Sequence, residues 1–322
     1  MMTPSETRTD TVPLLDQTAL MNNQVALDPP FTKSAAHWKP VGNRKKATVR
    51  SAHPDLAAKV LKALTWMFAG CGFLIMATLV IYIIATGLPH LAPSLFAWTY
   101  TTENVSMMPA IINTVLTVLL TLAISVPIGV GAALYLEEYA PRDSKFVSMV
   151  SIAAETLAGV PSILFGLFGM LLFVGSMHLG LSLLSGVLTL SVLVLPLILR
   201  TAQEALRSVD DSLRMGSYAL GAGKLRTIFC ILLPGAADGL CSGILLATGR
   251  ILGESAALIY TAGTLAKPAF DLLNPGATLS VHLYKLLNEG LFMQQASAVA
   301  FVLLVVCALM NLAQLALARK AK

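Results

Sequence analysis

Charge is scarce in this sequence: 22 Lys and Arg and 17 Asp and Glu in 322 residues, 12% in all, against 56% hydrophobic residues and a mean hydropathy of +0.75. A soluble domain usually carries about a quarter charged residues, so the bulk of this chain belongs in lipid. Cysteine is also rare. Cys71, Cys230, Cys241 and Cys307 show no paired spacing, no CxxC and no neighbouring His, which argues against a zinc site or a disulfide framework and leaves them as small apolar core residues. There is no Walker A loop, because Gly221-Ala222-Gly223-Lys224-Leu225 lacks the first Gly at the required spacing and the Ser or Thr after Lys. No HExxH, Cys-His set or paired acid and base lies at a membrane-accessible position, so neither enzymatic activity nor a bound cofactor is expected. The net charge of +5 sits in clusters beside apolar runs, which suits membrane orientation and argues against a nucleic-acid partner.

Residues 1 to 55 are rich in Thr, Asn, Pro, Asp and Lys and sustain no apolar period, so they read as a polar, disordered leader. The first apolar run starts near Leu61, behind that leader, so a cleaved signal peptide is not expected. Residues 56–322 form the membrane domain. Six stretches are long enough to cross the hydrocarbon, near 61–86, 110–136, 147–175, 180–200, 236–263 and 293–317, each supplying the ~20 residues a span needs. The third and fourth run almost together, with Glu155 as the only carboxylate or cation between Phe146 and Leu199, and are divided at Gly175, Ser176, His178 and Gly180. Pro127, Pro161 and Pro196 interrupt spans and mark expected kinks.

Cations near span ends favour the cytoplasmic side. Arg44, Lys45, Lys46, Arg50, Lys59 and Lys62 precede the first span, Arg142 and Lys145 follow the second, five cations from Arg200 to Arg226 follow the fourth, and Arg319, Lys320 and Lys322 follow the sixth. Residues 87–109 hold no Lys or Arg, and residues 264–292 hold only Lys267 and Lys285. Both termini and the loop 201–235 are therefore expected on the cytoplasmic side.

That loop reads as two short helices separated by Ser208, Val209, Asp210 and Asp211, with either Asp available to cap the second. The second helix is expected to reach about Leu220 and stop at Gly221-Ala222-Gly223, where Gly permits a left-handed cap. Leu213, Ser217 and Leu220 then share a face, with Arg214 and Tyr218 near its edge. A compact helix pair between two spans can sit in a groove of another protein and carry its movement into the membrane, or it can lie on the lipid surface as an ordinary amphipathic connector.

Gly216-Ser217-Tyr218-Ala219-Leu220-Gly221-Ala222, followed by Ile231-Leu232-Leu233-Pro234, resembles the coupling motif of ABC-importer permeases: Glu-Ala-Ala, three residues, Gly, nine residues, Ile-x-Leu-Pro. Gly221, Ile231, Leu233 and Pro234 fit the register, whereas Met215 stands where the motif has Glu, and Gly216 and Ser217 stand where it has Ala. The resemblance extends over about residues 105–265. Ala133-Leu134-Tyr135-Leu136-Glu137-Glu138-Tyr139-Ala140, Leu157 through Leu167, Asp211-Ser212-Leu213-Arg214 and Gly249-Arg250-Ile251-Leu252-Gly253-Glu254-Ser255-Ala256-Ala257 are similar to PstA-type phosphate permeases rather than to their PstC partners. The resemblance implies an all-α integral membrane fold of the type I importer class, with six transmembrane helices and a cytoplasmic coupling loop in the bacterial inner membrane. It also implies a second, PstC-like permease, PstB-like ATPase subunits that hydrolyse ATP, and an external PstS-like phosphate-binding protein. Arg214, Met215, Gly216, Ser217, Leu220, Gly221 and Ala222 are then the residues expected to couple to the ATPase.

Arg250 and Glu254 fall inside the expected fifth span, four residues apart and so on one helix face. Charges at membrane depth are costly, by about 2.5 to 3.5 kcal/mol on insertion scales. They are expected either to satisfy each other and pin packing, or to serve transport, Arg250 offering a cation to passing phosphate while Glu254 holds or releases it. Arg200 reads by type as an interfacial anchor, and its place in Leu195-Pro196-Leu197-Ile198-Leu199-Arg200 resembles a PstA position that implies a role in transport. Glu155 is expected to reach the cytoplasmic interface. Asn113, Thr114, Thr117 and Ser162 supply neutral hydrogen bonds, to the pathway or between helices. Gly235, Gly239 and Gly243, and separately Gly249 and Gly253, form small-residue stripes that let helices approach. The expected function is an ATP-driven phosphate permease subunit; a permease for sulfate, molybdate or phosphonate, an ion-coupled secondary transporter and a non-transporting scaffold are the competing readings.

Overall fold

The computed structural model describes residues 56–141 and 144–320, so the expected leader at 1–55 lies outside the described residues. The chain divides into two compact units, up to Cys71 and from Gly72 onward. The described part of the first is the opening of α1 (Leu56–Gly87), whose side chains up to Cys71 are exposed from Ala58 on.

In the second unit α2 (Met108–Leu134) follows two 3-10 turns at Leu88–His90 and Pro93–Phe96, and ends in a wide π turn at Tyr135–Tyr139. The chain continues through α3 (Lys145–Ala158), α4 (Ser162–Gly169, with a π continuation to Ser176), α5 (Leu183–Arg207) and α6 (Asp211–Ala219). The short α7 (Lys224–Thr227) passes through a π turn at Ile228–Leu232 into α8 (Leu233–Gly253), and α9 (Ala256–Thr261), α10 (Leu279–Glu289) and α11 (Met293–Lys320) complete the chain. Every regular element among the described residues is helical.

Five helices are long and apolar enough to cross a membrane, and α3 with α4 makes a sixth only as a broken pair bent by 102°. The interruption expected at Pro161 in the third span is thus a full break, where a kink in one continuous span was expected. Pro161 has no N–H to donate and disfavours helical backbone at Val160, so α3 stops at Ala158 and α4 starts after the proline. Pro127 and Pro196, by contrast, sit inside uninterrupted helices, since packed neighbours in a membrane helix absorb the lost hydrogen bond. The fourth span runs further than expected, to Arg207, and the fifth stops earlier, at Gly253.

Burial follows position in the bundle. Two thirds (67%) of the central window of α5 is buried, which makes α5 the axis of the body, while α1 is wholly exposed over its apolar window. Val118, Leu190, Val194, Ile251, Leu258 and Val281 lie in a middle core; Ala133, Leu206, Ile228 and Leu232 fill one end; Leu95, Met107, Leu279, Leu286 and Val299 fill the other. Gly239 and Gly243 of α8 lie against Ala205 and Thr201 of α5, and Gly235 against Val209 just beyond it, so closely that a methyl group at Gly239 would meet Ala205 Cβ at 2.5 Å. The antiparallel helices are held together by absence of side chain.

Candidate functional site

Two features of the body carry chemistry: the outer face of α8 and the loop end where α2, α5 and α6 converge. On α8, Asp238, Ser242, Leu246, Gly249, Arg250 and Gly253 are exposed, while Ala236, Gly243, Ala247 and Ile251 are buried. A methyl at Gly249 or Gly253 would meet nothing within 4 Å, so this stripe, unlike the Gly235 stripe, packs on nothing among the described residues. A guanidinium on an open face of an apolar helix does not belong against lipid tails; the face suits a watery path or a partner.

Glu254 does not share that face. It follows the last residue of α8 with extended backbone (φ −80°, ψ 117°), and is buried at 8% exposure. Its Oε1 lies 3.5 Å from the Ala257 N–H at the start of α9, and its freed carbonyl accepts a 2.8 Å bond from Ser280 Oγ. Among the described residues no ion pair joins Arg250 to Glu254. The one-face expectation assumed a continuous helix, whereas Gly253 ends it and the Ser280 bond satisfies the carbonyl that leaves the ladder.

Arg200 and Glu155, expected to act separately, meet across α5 and α3 with Nη2 3.5 Å from Oε1, both partly exposed. Asn113 and Thr114 are not on an open path. Asn113 is fully buried; its Nδ2 donates to the carbonyls of Lys267 (2.9 Å) and Ala277 (3.1 Å), and its Oδ1 accepts from Ala269 N–H (2.8 Å). Thr114 Oγ1 accepts from Leu279 N–H at 2.8 Å. These residues hold the segment 264–279 to the start of α2.

At the loop end, Asp210 caps α6, its Oδ1 accepting from Ser212 N–H at 2.8 Å, and this bond holds the Asp210 carboxyl below its ordinary pKa. Gly221 takes the left-handed conformation (φ +79°) that terminates the helix. The expected Leu213-Ser217-Leu220 face is split. Ser217 turns inward, its hydroxyl 2.8 Å from that of Thr227, whereas Leu213, Met215, Tyr218 and Leu220 point outward, Leu220 being 90% exposed. Arg214, at the edge, also turns in: its Nη2 lies 3.3 Å from Glu138 Oε1 and donates to the Leu206 carbonyl at 2.9 Å, and its Nη1 meets Asp211 Oδ1 at 3.1 Å. Gly216 and Gly221 are exposed and Ala222 is half-buried.

The π turn at the end of α2 answers this loop residue by residue. Glu137 Oε1 accepts from Gln203 Nε2 (3.0 Å) and from Arg207 Nε (3.0 Å), with Arg207 Nη2 at 2.7 Å. Glu138 meets Arg214, and Lys224 Nζ sits 4.4 Å from the ring centroid of Tyr139. A cavity of about 380 Å³ lies between these parts, lined by Leu136, Glu137, Val147, Arg207, Asp211 and Arg214. Sequence reasoning singled out Glu137 and Glu138 only for family likeness. A physical signal was present: two carboxylates ending an apolar span whose flanking loops are rich in arginine.

A family model described as the binding-protein-dependent transport system inner membrane component matches residues 125–322. The chain belongs to that family. The probable ABC transporter permease protein YqgI of Bacillus subtilis (strain 168) is 32% identical over 263 residues, covering 74% of this chain and 87% of that protein. The phosphate transport system permease protein PstA of Yersinia pestis is 37% identical over 196 residues, covering 61% of this chain and 66% of that protein. Of the longer PstA homolog of Mycoplasma pneumoniae, at 40% identity, the chain spans 28%. A chain of the MetNI methionine ABC transporter, solved in inward-facing conformations, superposes with a TM-score of 0.52 at 18% identity, covering 75% of this chain and 97% of that one. These likenesses bear out the PstA-type resemblance and the all-α importer-permease fold. As a member of the family the chain is a multi-pass inner-membrane permease subunit of an ABC importer, a transport component rather than an enzyme.

Proposed function

We propose that this permease imports inorganic phosphate, forming one half of a pathway whose other half is a second, PstC-like permease. The observation that carries this reading is Arg250, exposed on the open face of α8 with no acid of its own subunit paired to it among the described residues. One cation on a polar, small-residue stripe gives an anion a resting place without holding it tightly, and an importer must release what it binds. The likeness to PstA-type relatives supports phosphate as the anion. Glu254, buried beyond the end of α8, keeps a place in the proposal as a residue of the break between α8 and α9, and the Arg200–Glu155 pair as a residue pair near the exit; neither neutralises Arg250 directly.

ATP is hydrolysed by PstB-like subunits, and this chain holds no nucleotide. Those subunits dock on α6, where Leu213, Met215, Tyr218 and Leu220 present apolar side chains outward. Met215, at 70% exposure in place of the motif's Glu, makes that contact apolar where the family pattern would supply a carboxylate. An external binding protein delivers phosphate on the opposite side, and both termini are cytoplasmic. Closure of the ATPase pair then displaces α6 and drives alternating access.

The test is ATP-dependent uptake of labelled phosphate into vesicles holding the assembled complex, native against Arg250→Gln. Loss of uptake in an intact complex supports the proposal, and equal uptake removes Arg250 from the pathway. ATP-dependent uptake of labelled sulfate by a native complex that takes up no phosphate moves the assignment to another oxyanion. Transport that survives without any ATPase and collapses with the ion gradient overturns the ATP-driven reading.

A further inference from the structure

We propose that Glu138 is a positioning residue of the transport cycle, a latch that ties α6 to the end of α2 so that a displacement of α6 is delivered to a helix of the membrane body. The inference rests on the ATP-driven reading above.

The argument starts from how few ties α6 has. Leu213, Met215 and Leu220 are more than half exposed, Gly216 has open space around it, and the Ser217–Thr227 bond stays within the loop. Arg214 is the side chain that leaves the helix inward, and its contacts lead to three places: Asp211 on α6 itself, the Leu206 carbonyl near the end of α5, and Glu138 on α2. Glu138 is the one charged partner outside α6. The pair is well enclosed, with side-chain exposure of 13% for Arg214 and 6% for Glu138. A buried ion pair is hard to break by removing one member, because the other is left as an uncompensated charge. Yet Glu138 Oε1 and Arg214 Nε make no hydrogen bond. Charge therefore holds the pair without the directional lock of a bidentate fork, so it can swivel while staying closed.

The neighbouring residue closes the load path. Glu137 binds Gln203 and Arg207, both on α5, so the end of α2 and the end of α5 form one block. Glu138 adds α6 to that block, and Tyr139 adds the start of α7 through Lys224. A push on α6 thus reaches α2 through Glu138 and α5 through the Leu206 carbonyl, and α5 is in turn packed against the Gly235–Gly243 stripe of α8, the helix that carries Arg250.

The experiment uses the full complex in vesicles, comparing native protein with Glu138→Gln, which keeps the shape and removes the charge. Two readouts are taken: phosphate taken up per ATP hydrolysed, and the distance between spin labels at Ile128→Cys on α2 and Ser212→Cys on α6, both exposed, with the native cysteines replaced by serine. The expected result is an assembled complex that still hydrolyses ATP but transports about tenfold less per ATP, as fits the loss of one charged contact. The label distance, constant between nucleotide-free and ATP-bound states in the native complex, then changes with nucleotide in the variant. A native transport-to-ATP ratio in Glu138→Gln overturns the latch, and so does a loss that merely tracks the amount of assembled complex. Should the native complex take up no phosphate, the substrate reading fails by itself, and the label distances still decide the latch: no nucleotide dependence in the variant overturns it.

Discussion

The two ends of α2 are fastened in different ways. At its start, Asn113 and Thr114, 0% and 3% exposed, hold the backbone of residues 267–279 through neutral hydrogen bonds of 2.8 to 3.1 Å. At its end, Glu137 and Glu138 hold the coupling-loop end through charges, one of which, Arg207, is 61% exposed. A buried neutral bond has no competitor and fixes geometry, because breaking it strands polar groups away from water. The exposed Arg207 contact can exchange partners at little cost, whereas the enclosed Glu138–Arg214 pair stays closed but, with no hydrogen bond at Glu138 Oε1 or Arg214 Nε, can swivel. One helix therefore joins a fixed end to an adjustable one, which suits a part that must pivot.

The largest effect that could break this contrast is expected at Asn113. Asn113→Ala strands the Lys267 and Ala277 carbonyls and the Ala269 N–H in a dry site, and at 1 to 3 kcal/mol for each orphaned group the loss should be about 3 kcal/mol or more. Thermal unfolding of the detergent-solubilised complex measures it. A change below about 1 kcal/mol, the size of an ordinary exposed contact, would mean that the start of α2 is no more firmly held than its end.

Next in size is Gly221, where the coupling helix ends at φ +79° with open space around the residue. A valine there meets no steric neighbour but must take a left-handed backbone, at a cost of about 1 to 2 kcal/mol. Gly221→Val should lower retention of the ATPase on co-purification about tenfold, the equivalent of that cost. Gly221→Asn should be milder, because Asn tolerates this conformation. Undiminished retention in the valine variant would separate the turn from docking.

How much of this was legible beforehand depends on range. Apolar runs marked the helices, and Asp210 and Gly221 marked the ends of α6, because span length and capping are local properties. All three prolines were marked as interruptions, but that Pro161 breaks its helix while Pro127 and Pro196 are tolerated was not legible, since prolines with similar surroundings in sequence differ in what packs around them. Arg250 stands out in the sequence as a charge inside an apolar run, but its expected pairing with Glu254 assumed a helix that Gly253 ends, the Glu254 carbonyl turning to Ser280, 26 residues on. The Glu137–Arg207 contact joins residues 70 positions apart and the Glu138–Arg214 contact residues still further apart, and no local pattern carries that; the acids at the end of the second span were the one visible trace.

The smallest effects are at the fixed end, where α10 carries His282, 1% exposed and with neither ring nitrogen hydrogen-bonded. Its ring meets Tyr100 edge-on at 5.9 Å, and Lys285 lies over the same tyrosine at 5.8 Å. Burial, aided by the Lys285 ammonium and opposed by the Val105 backbone, lowers the His282 pKa from 6.5 to about 4. The folded protein therefore binds this proton later than the unfolded chain does. Stability is full above pH 6.5 and is lost as pH falls towards 4, with a drop on the order of 1.4 kcal/mol between about pH 7.5 and 5.5. His282→Phe should flatten that part of the melting-temperature profile, and an unchanged acid slope would place the loss elsewhere. Lys285→Gln sharpens the point. Its pair with Glu289, at 3.8 Å and about a third exposed on each side, should matter by no more than about 0.5 kcal/mol at neutral pH. Removing the ammonium should also let the His282 pKa rise part of the way back, so the variant loses less stability on acidification than the native protein. An unchanged acid loss in Lys285→Gln would show that the ammonium does not act on the imidazole, and that burial alone keeps His282 neutral.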